Sequence, residues 1–285
     1  MYSRHTLLGK IFRHLLVWAM IAFTIFPVIW IFSASINPGN TLFGLRFIPQ
    51  VVTWNHYLDL FTNPLHPFGL WLWNSIKVSG TASLVTVFLT ALGAYALSRF
   101  RFRGRRTGLL ALLLIQMFPQ MLAMVAIYLL LLSIGRYIPW LGLNTHAGLI
   151  MVYLGGAMGF NTWLMKSYFD TIPHDLEESA MVDGATHFQA FLRIILPLAR
   201  PILAVIFILT FIGTYSDFLL PSILLTGTRQ FTFAVGLRLF IQGQYATRWG
   251  IFAAACMLGA IPIMVVFLSL QRFLISGLTR GGVKG

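Results

Sequence analysis

Seven carboxylates are all the acid this chain carries, and five of them, Asp170, Asp175, Glu177, Glu178 and Asp183, fall between positions 170 and 183. The stretch reads Asp170-Thr-Ile-Pro-His-Asp-Leu-Glu-Glu-Ser-Ala-Met-Val-Asp-Gly-Ala185, and Leu196-Pro197 follow shortly after. No nucleophile–base pair or metal-ligand set completes it. The single Cys256 lies in a distant apolar run, so neither a disulfide framework nor a metal cluster is expected. What remains for the acids is recognition, a surface that meets a soluble partner. Pro173 suits the first turn of a helix, and Asp175, Glu177 and Glu178 place negative charge at its N-terminal dipole end. Leu176 and Ala180, four apart, share a face, and Gly184 breaks the helix or lets another backbone come close. A second helical stretch puts Phe188, Phe191, Leu192 and Ile195 on one side, and Pro197 is expected to stop it. An apolar face with an acidic rim, on a helix–Gly–helix element, has the composition of a docking site.

The elements that hold this stretch are apolar enough for a bilayer. The chain is 58% hydrophobic and 9% charged, with a mean hydropathy of +0.82, which excludes a soluble enzyme. A spanning helix needs about 20 mostly apolar residues. Six stretches qualify: 11–36, 72–98, 107–132, 146–169, 198–220 and 249–275. They are continuously apolar rather than alternating, so the expected fold is all-α, a polytopic membrane protein with six transmembrane helices and no barrel.

The net charge of +13 belongs to membrane topology rather than to nucleic acid, because the cations sit in alternate loops. Arg4, Lys10, Arg13, Arg99, Arg101, Arg103, Arg105, Arg106, Lys166, Arg193, Arg200, Arg272, Arg280 and Lys284 fall on one side, 14 of 20. Arg46, Lys77, Arg136, Arg229, Arg238 and Arg248 fall on the other. The positive-inside rule then places both termini and the acidic loop in the cytoplasm. The first span follows basic residues and precedes Ser33-Ala34-Ser35, as a secretory signal would. Its apolar run is too long for one, which makes it an uncleaved anchor.

Trp71, Trp73, Tyr137, Trp140 and Trp249 fall at external span ends, Trp163 and Tyr168 near an internal one. They read as an interfacial aromatic belt, with sugar stacking the alternative. Gly155 and Gly159 give a Gly-x-x-x-Gly spacing, with Gly156 beside them, that favours close helix packing. Pro27, Pro119 and Pro262 are expected to kink or unwind their spans. Asp217 is the only acid expected within a span. Such acids usually face a bundle interior or a wet cavity, so Asp217, Tyr215, Gln116 and Asn161 are the candidate pathway-lining residues.

Glu178-Ser179-Ala180-x-x-x-Gly184, nine residues, then Ile194-x-Leu196-Pro197 resembles the EAA signature of binding-protein-dependent ABC importer permeases. Ser179 stands where Ala is usual, a small-for-small change. Leu70-Trp-Leu-Trp-Asn-Ser-Ile-Lys-Val78, Ile138-Pro-Trp-Leu-Gly-Leu-Asn-Thr-His146, Tyr153-Leu-Gly-Gly156 and Gly277-Leu-Thr-Arg-Gly-Gly-Val-Lys-Gly285 resemble the shorter permease subunit of maltose/maltodextrin importers.

The resemblance implies the type I ABC importer transmembrane fold, in the inner membrane. It divides the chain into 1–69 (N-terminal segment, first span, external loop) and a permease core at 70–285, with a coupling loop at 170–197 and a cytoplasmic tail. It implies a larger permease partner, two ATPase subunits that bind ATP and Mg, and an extracytoplasmic sugar-binding protein. The chain lacks Gly-x-x-x-x-Gly-Lys-Ser/Thr, so it is expected to hold no cofactor and to hydrolyse nothing itself. ATPase coupling is expected of Glu177, Glu178, Ser179, Ala180, Asp183, Gly184, Ala185, Leu196 and Pro197, and tail contact with the ATPase of Gly281, Gly282, Val283 and Lys284. Gln230, Gln242 and Gln244 match in position a loop that probes the binding protein. Trehalose, cyclodextrin and glycerol-phosphate are alternative cargoes. An ATP-independent secondary transporter would explain the spans and Asp217 but not the signature.

Overall fold

The computed structural model describes residues 7–39, 47–242 and 248–281. Their regular structure is helical throughout: α1 (Leu7–Ile36), α2 (Asn55–Thr62), α3 (Phe68–Arg99), α4 (Arg105–Gln116), α5 (Gln120–Tyr137), α6 (His146–Phe169), α7 (Asp175–Val182), α8 (His187–Ala190), α9 (Leu196–Leu198), α10 (Arg200–Ser216), α11 (Leu219–Leu224), α12 (Phe233–Leu237) and α13 (Trp249–Gly281). Four helices are long and apolar enough to cross a membrane, and two bent pairs bring the number to six if each is one span.

Both bends have a covalent cause. Between α4 and α5 the axis turns by 100° at Pro119, which caps α5 in an extended conformation. Proline offers no N–H to the previous turn and pushes the residue before it out of the helical region. The second bend, 75° between His187–Leu198 and Arg200–Ser216, differs from the expectation that Pro197 stops the helix. Pro197 sits inside the turn Leu196–Leu198, and the backbone leaves the helical conformation at Ala199, with ψ 2°, although Ala199 N–H still donates to Ile195 O at 2.9 Å. Pro201, at the second position of α10, has no N–H to donate back toward Pro197. Pro27 and Pro262, expected to kink or unwind their spans, lie inside helices that run on without a break.

The described residues group into two compact units, Met1–Gly69 with Leu237–Ala260, and Leu70–Gly236 with Ile261–Gly285. In the first, Ser35 Oγ and Tyr57 Oη are 2.7 Å apart, Thr53 N–H donates to Ile36 O at 2.8 Å, and the His56 ring meets Asn37 O at 2.8 Å. Ahead of its buried last turn, Ser33–Ile36, α1 is exposed and mostly apolar, with Phe12, Trp18 and Phe23 outward, as suits a helix whose solvent is lipid.

Among the described residues, the second unit packs around two apolar centres. One gathers Ala91, Ala94 and Tyr95 of α3, Met165 and Phe169 of α6, Phe191 and Ile195, and Ile202 and Ile206 of α10. The other joins Val78 and Ala82 of α3 to Leu131, Leu149, Leu220 and Leu224. The first lies directly beneath the acidic stretch and roots it.

Candidate functional site

The acidic stretch folds as two short helices joined by two caps. Gly184 has φ +89°, the left-handed conformation that favours glycine. Its N–H donates to Met181 O at 3.0 Å, and Ala185 N–H donates to Ala180 O at 2.9 Å. This is a Schellman terminus, and it explains the spacing Ala180-x-x-x-Gly184, the distance from the third-last helical residue to the left-handed one. Thr186 then opens α8 with a capping box: its Oγ1 accepts from Gln189 N–H at 3.2 Å, and Gln189 Oε1 accepts from Thr186 N–H at 2.8 Å. Pro173 stands ahead of α7, whose N-cap is His174, rather than in its first turn.

The second stretch does not keep its four apolar residues on one side. Residues Phe191–Ile195 form a π turn, which adds a residue to the turn and rotates the side chains beyond it. Phe191 and Ile195 enter the core, while Phe188 and Leu192 stay outside. With Leu176 and Val182, the latter 88% exposed, they give the element its outward apolar groups. Glu178, Ser179, Asp183, Gly184 and Pro197 are exposed too, and Ala180, Ala185 and Leu196 are half-buried.

Glu177 differs from its neighbours in sequence. It is buried, 4% exposed, and forms an ion pair with Arg99 Nε. Its second oxygen accepts from Tyr95 Oη at 2.8 Å. Arg99 Nη1 and Nη2 donate to Phe169 O and Ile172 O, each at 3.1 Å. Beside them Asp170 accepts from Ser98 Oγ at 2.6 Å and pairs with Lys166. Burial alone would raise the Asp170 pKa, but these hydrogen bonds outweigh it and hold the carboxyl below its ordinary value. By its place in the sequence Arg99 counts among the loop cations. In the fold it is the last residue of α3 with its side chain inside, and the signal was Tyr95 four residues earlier on the same helical face.

A cleft of about 750 Å³ opens among α5, α6, α10 and α11. Tyr153, Asn161, Thr210, Thr214, Ser216 and Asp217 supply its polar lining. Asp217 is not within a helix. It follows α10 in extended conformation, accepts from Tyr153 Oη at 2.9 Å and from Leu219 N–H at 2.9 Å, and so marks the break before α11. Tyr215 lies in the interior, 2% exposed, stacked between Phe211 and Phe233, and is not among the residues that line this cleft. Thr210 and Thr214, missed in the sequence, stand at i and i+4 on one face of an otherwise apolar helix, and Asp217 follows just past its end.

Gln116 and Asn161 meet a second, mostly apolar cleft of about 1280 Å³. The Gln116 amide straddles a rung of α6, donating to Gly156 O at 2.6 Å and accepting from Phe160 N–H at 2.9 Å. Gly159 permits this approach, since a Cβ there would fall 2.6 Å from Leu112 O, whereas Gly155 faces open space.

On the opposite side of the spans, Trp71 is neither belt nor platform. It is fully buried, and its indole N–H donates to Thr228 O at 2.8 Å. Trp73, Tyr137 and Trp140 do remain exposed. Asn74 Nδ2 donates to Arg229 O and Phe231 O at 2.9 and 3.0 Å, Ser75 Oγ accepts from Phe233 N–H at 2.7 Å, and Asn144 Oδ1 accepts from Thr226 and Gly227 N–H at 3.0 and 2.9 Å. Gln230 is held through its carbonyl by His146. Gln242 faces the Arg238 guanidinium, and Gln244 lies outside the described residues. Of the tail, Gly281 ends α13, and Gly282, Val283 and Lys284 lie outside the described residues. Among those residues no group of His, Cys, Asp and Glu is placed to hold a metal.

Residues 87–280 match the family described as binding-protein-dependent transport system inner membrane component. The chain is 45% identical over 282 residues to the maltose/maltodextrin transport system permease protein MalG of Vibrio vulnificus (strain YJ016), covering 95% of each. It is 44% identical over 283 residues to the protein of the same name from Escherichia coli (strain K12), again with 95% of each covered. Among solved structures, a chain of a bacterial ABC transporter involved in import of the acidic polysaccharide alginate aligns with a TM-score of 0.79 at 26% identity, over 95% of this chain and 98% of that one.

Proposed function

The chain belongs to the binding-protein-dependent transport system inner membrane components, multi-pass permease subunits of ABC importers, and we propose that it passes maltose or short α-linked glucans delivered by an extracytoplasmic binding protein. The cargo reading rests on 44–45% identity to maltose/maltodextrin permeases over nearly the whole chain. The mechanism rests on one observation above the others. The acidic element leaves Leu176, Val182, Phe188 and Leu192 exposed, rimmed by Asp175, Glu178 and Asp183, while its own backbone is closed by caps. A rigid apolar surface with charged edges fits a cleft in a partner protein.

In this reading the partner is a cytoplasmic ATPase, present twice in an assembly that includes a larger permease subunit, and ATP with Mg is bound there. The arginine bias puts the element and both termini on the cytoplasmic side. Closure of the ATPase pair moves the element, and because residues 187–198 run through the bend into α10, the motion reaches the helix that carries Thr210, Thr214 and Ser216. The spans are thereby biased between two arrangements by differential binding, not by any chemistry in this chain. The polar cleft around Tyr153, Asn161 and Asp217 offers hydroxyl-rich cargo hydrogen-bond partners on its way through.

Reconstitution tests both halves. The assembled complex in liposomes should hydrolyse ATP faster when binding protein loaded with maltose or maltotriose is added, and the chain alone should neither bind nor hydrolyse ATP. Stimulation only by a binding protein loaded with an unrelated sugar would refute the cargo. Uptake driven by an ion gradient without ATPase would refute the coupling. A cysteine at Ala185 should crosslink to the ATPase and resist impermeant thiol reagents in intact cells, and labelling from outside would overturn the orientation.

A further inference from the structure

We infer that Arg99 is the positioning residue that makes the docking element and the inner ends of α3 and α6 move as one body. The inference rests on the coupling role proposed above. Its starting point is one guanidinium with four of its five N–H groups committed: Nε serves Glu177 of α7, Nη1 serves Phe169 O at the end of α6 and Ser98 Oγ, and Nη2 serves Ile172 O in the turn after it. Both charged side chains are 5% exposed, so water is not at hand to replace a broken bond. Tyr95 adds a second tie from α3, with its hydroxyl within hydrogen-bond reach of Glu177 Oε2 and, at 3.2 Å, His187 O of α8.

The other attachments of the element are of a different kind. Phe191 and Ile195 hold it by packing, which is non-directional and lets a helix slide. A planar fork bonding three elements fixes an angle as well as a distance, and buried charge-assisted bonds are the strong ones. Apolar roots keep the element attached, whereas the fork makes a rotation of α7 a rotation of α3 and α6. α6 carries Tyr153 and Asn161 into the polar cleft, so the joint lies on the physical route from docking surface to pathway. A lysine at position 99 would keep the charge and lose the fork.

The test uses the whole complex, both permeases with ATPase and binding protein in liposomes, and reads sugar uptake and ATP hydrolysis in the same vesicles. Arg99→Lys should assemble and hydrolyse ATP while sugar moved per ATP falls by about tenfold or more, the worth of one lost charge-assisted hydrogen bond. Tyr95→Phe, which keeps the ring on Phe191, should lower the ratio by about three- to tenfold. If both variants reduce the amount or thermal midpoint of the complex but leave sugar per ATP at the wild-type value, Arg99 is a brace and the inference fails. Should Arg99→Lys not assemble, Tyr95→Phe decides by the same ratio. Absence of ATP-coupled uptake in the wild-type complex would bring down the coupling role itself, a separate result.

Discussion

Two connections in the second unit, 170–197 and 226–236, face the same problem and solve it in opposite ways. Each is a polar stretch between apolar helices, and each must satisfy its backbone without a sheet. The first closes its outer turns on itself, through the Schellman bonds at Gly184 and the capping box at Thr186, takes help from α3 only at the Ile172 and His187 carbonyls on its inner side, and sends a few side chains inward as roots. The second is closed by others: Trp71, Asn74, His146 and Asn144 bond its main-chain groups from two other parts of the chain. A self-capped connection keeps its outer face available to a partner. A connection held by its backbone is a fixed rim, and its stability depends on residues some 155 positions away in the chain.

The sharpest way to break the contrast is to cut roots and faces separately. Phe191→Ala removes a buried ring from the core under the acidic element and should cost about 3–5 kcal/mol. Phe188→Ala, on the exposed side, should change stability by no more than about 0.5 kcal/mol while weakening ATPase binding. Thermal melting of the purified permease pair, alongside ATPase pull-down, checks both. Equal losses in stability would mean that Phe188 is not a surface residue.

Next in size is a glycine in the fixed rim. At Gly236 a Cβ would lie 2.1 Å from the buried Trp71 ring, so Gly236→Ala should cost about 1–3 kcal/mol or more through overpacking. Paired with Trp71→Phe, which frees space, part of that loss should return; the double-mutant cycle on melting temperature measures it. Simple additivity would show that the two residues do not meet.

A glycine in the self-capped connection should behave differently. Nothing lies within 4 Å of a Cβ added at Gly184, so the penalty of Gly184→Ala is the left-handed backbone, about 1–2 kcal/mol. Gly184→Asn, which tolerates that conformation, should recover most of the stability. If Asn melts like wild type but still fails to couple, the partner's backbone comes too close there for any side chain.

The smallest effect concerns Asp170. Because its pKa is held down in the folded state, the carboxylate stabilises the fold above the ordinary carboxylate range, and that contribution is lost as pH falls through the lowered value. Its partly exposed side chain limits the effect to under about 1 kcal/mol. Asp170→Asn should flatten the acid limb of a melting-temperature profile by that amount, and an unchanged limb would place the acid sensitivity elsewhere.

Much of the acidic element could be read from its residues. Ala180 and Gly184 at their spacing, Thr186 before a helical run, and acids near a helix start act within a few residues of one another, so local chemistry dictates the result. The same holds for the apolar spans, whose helicity a bilayer enforces, and for the bend at Pro119, which a missing N–H imposes. Sequence did not reveal that Glu177 turns inward while Glu178 stays out, that Arg99 leaves its run of loop arginines to meet it, or that Trp71 closes over Gly236. Nor did it reveal that Tyr215 is core and Asp217 a helix break. Each of these depends on which face of a helix finds a neighbour, and a π turn at Phe191–Ile195 is enough to change that. Capping, charge asymmetry and proline chemistry are local and were determined by the sequence alone. Partners far apart in the chain are chosen by packing and by the cost of burying an unpaired polar group, and only the tertiary structure decided them.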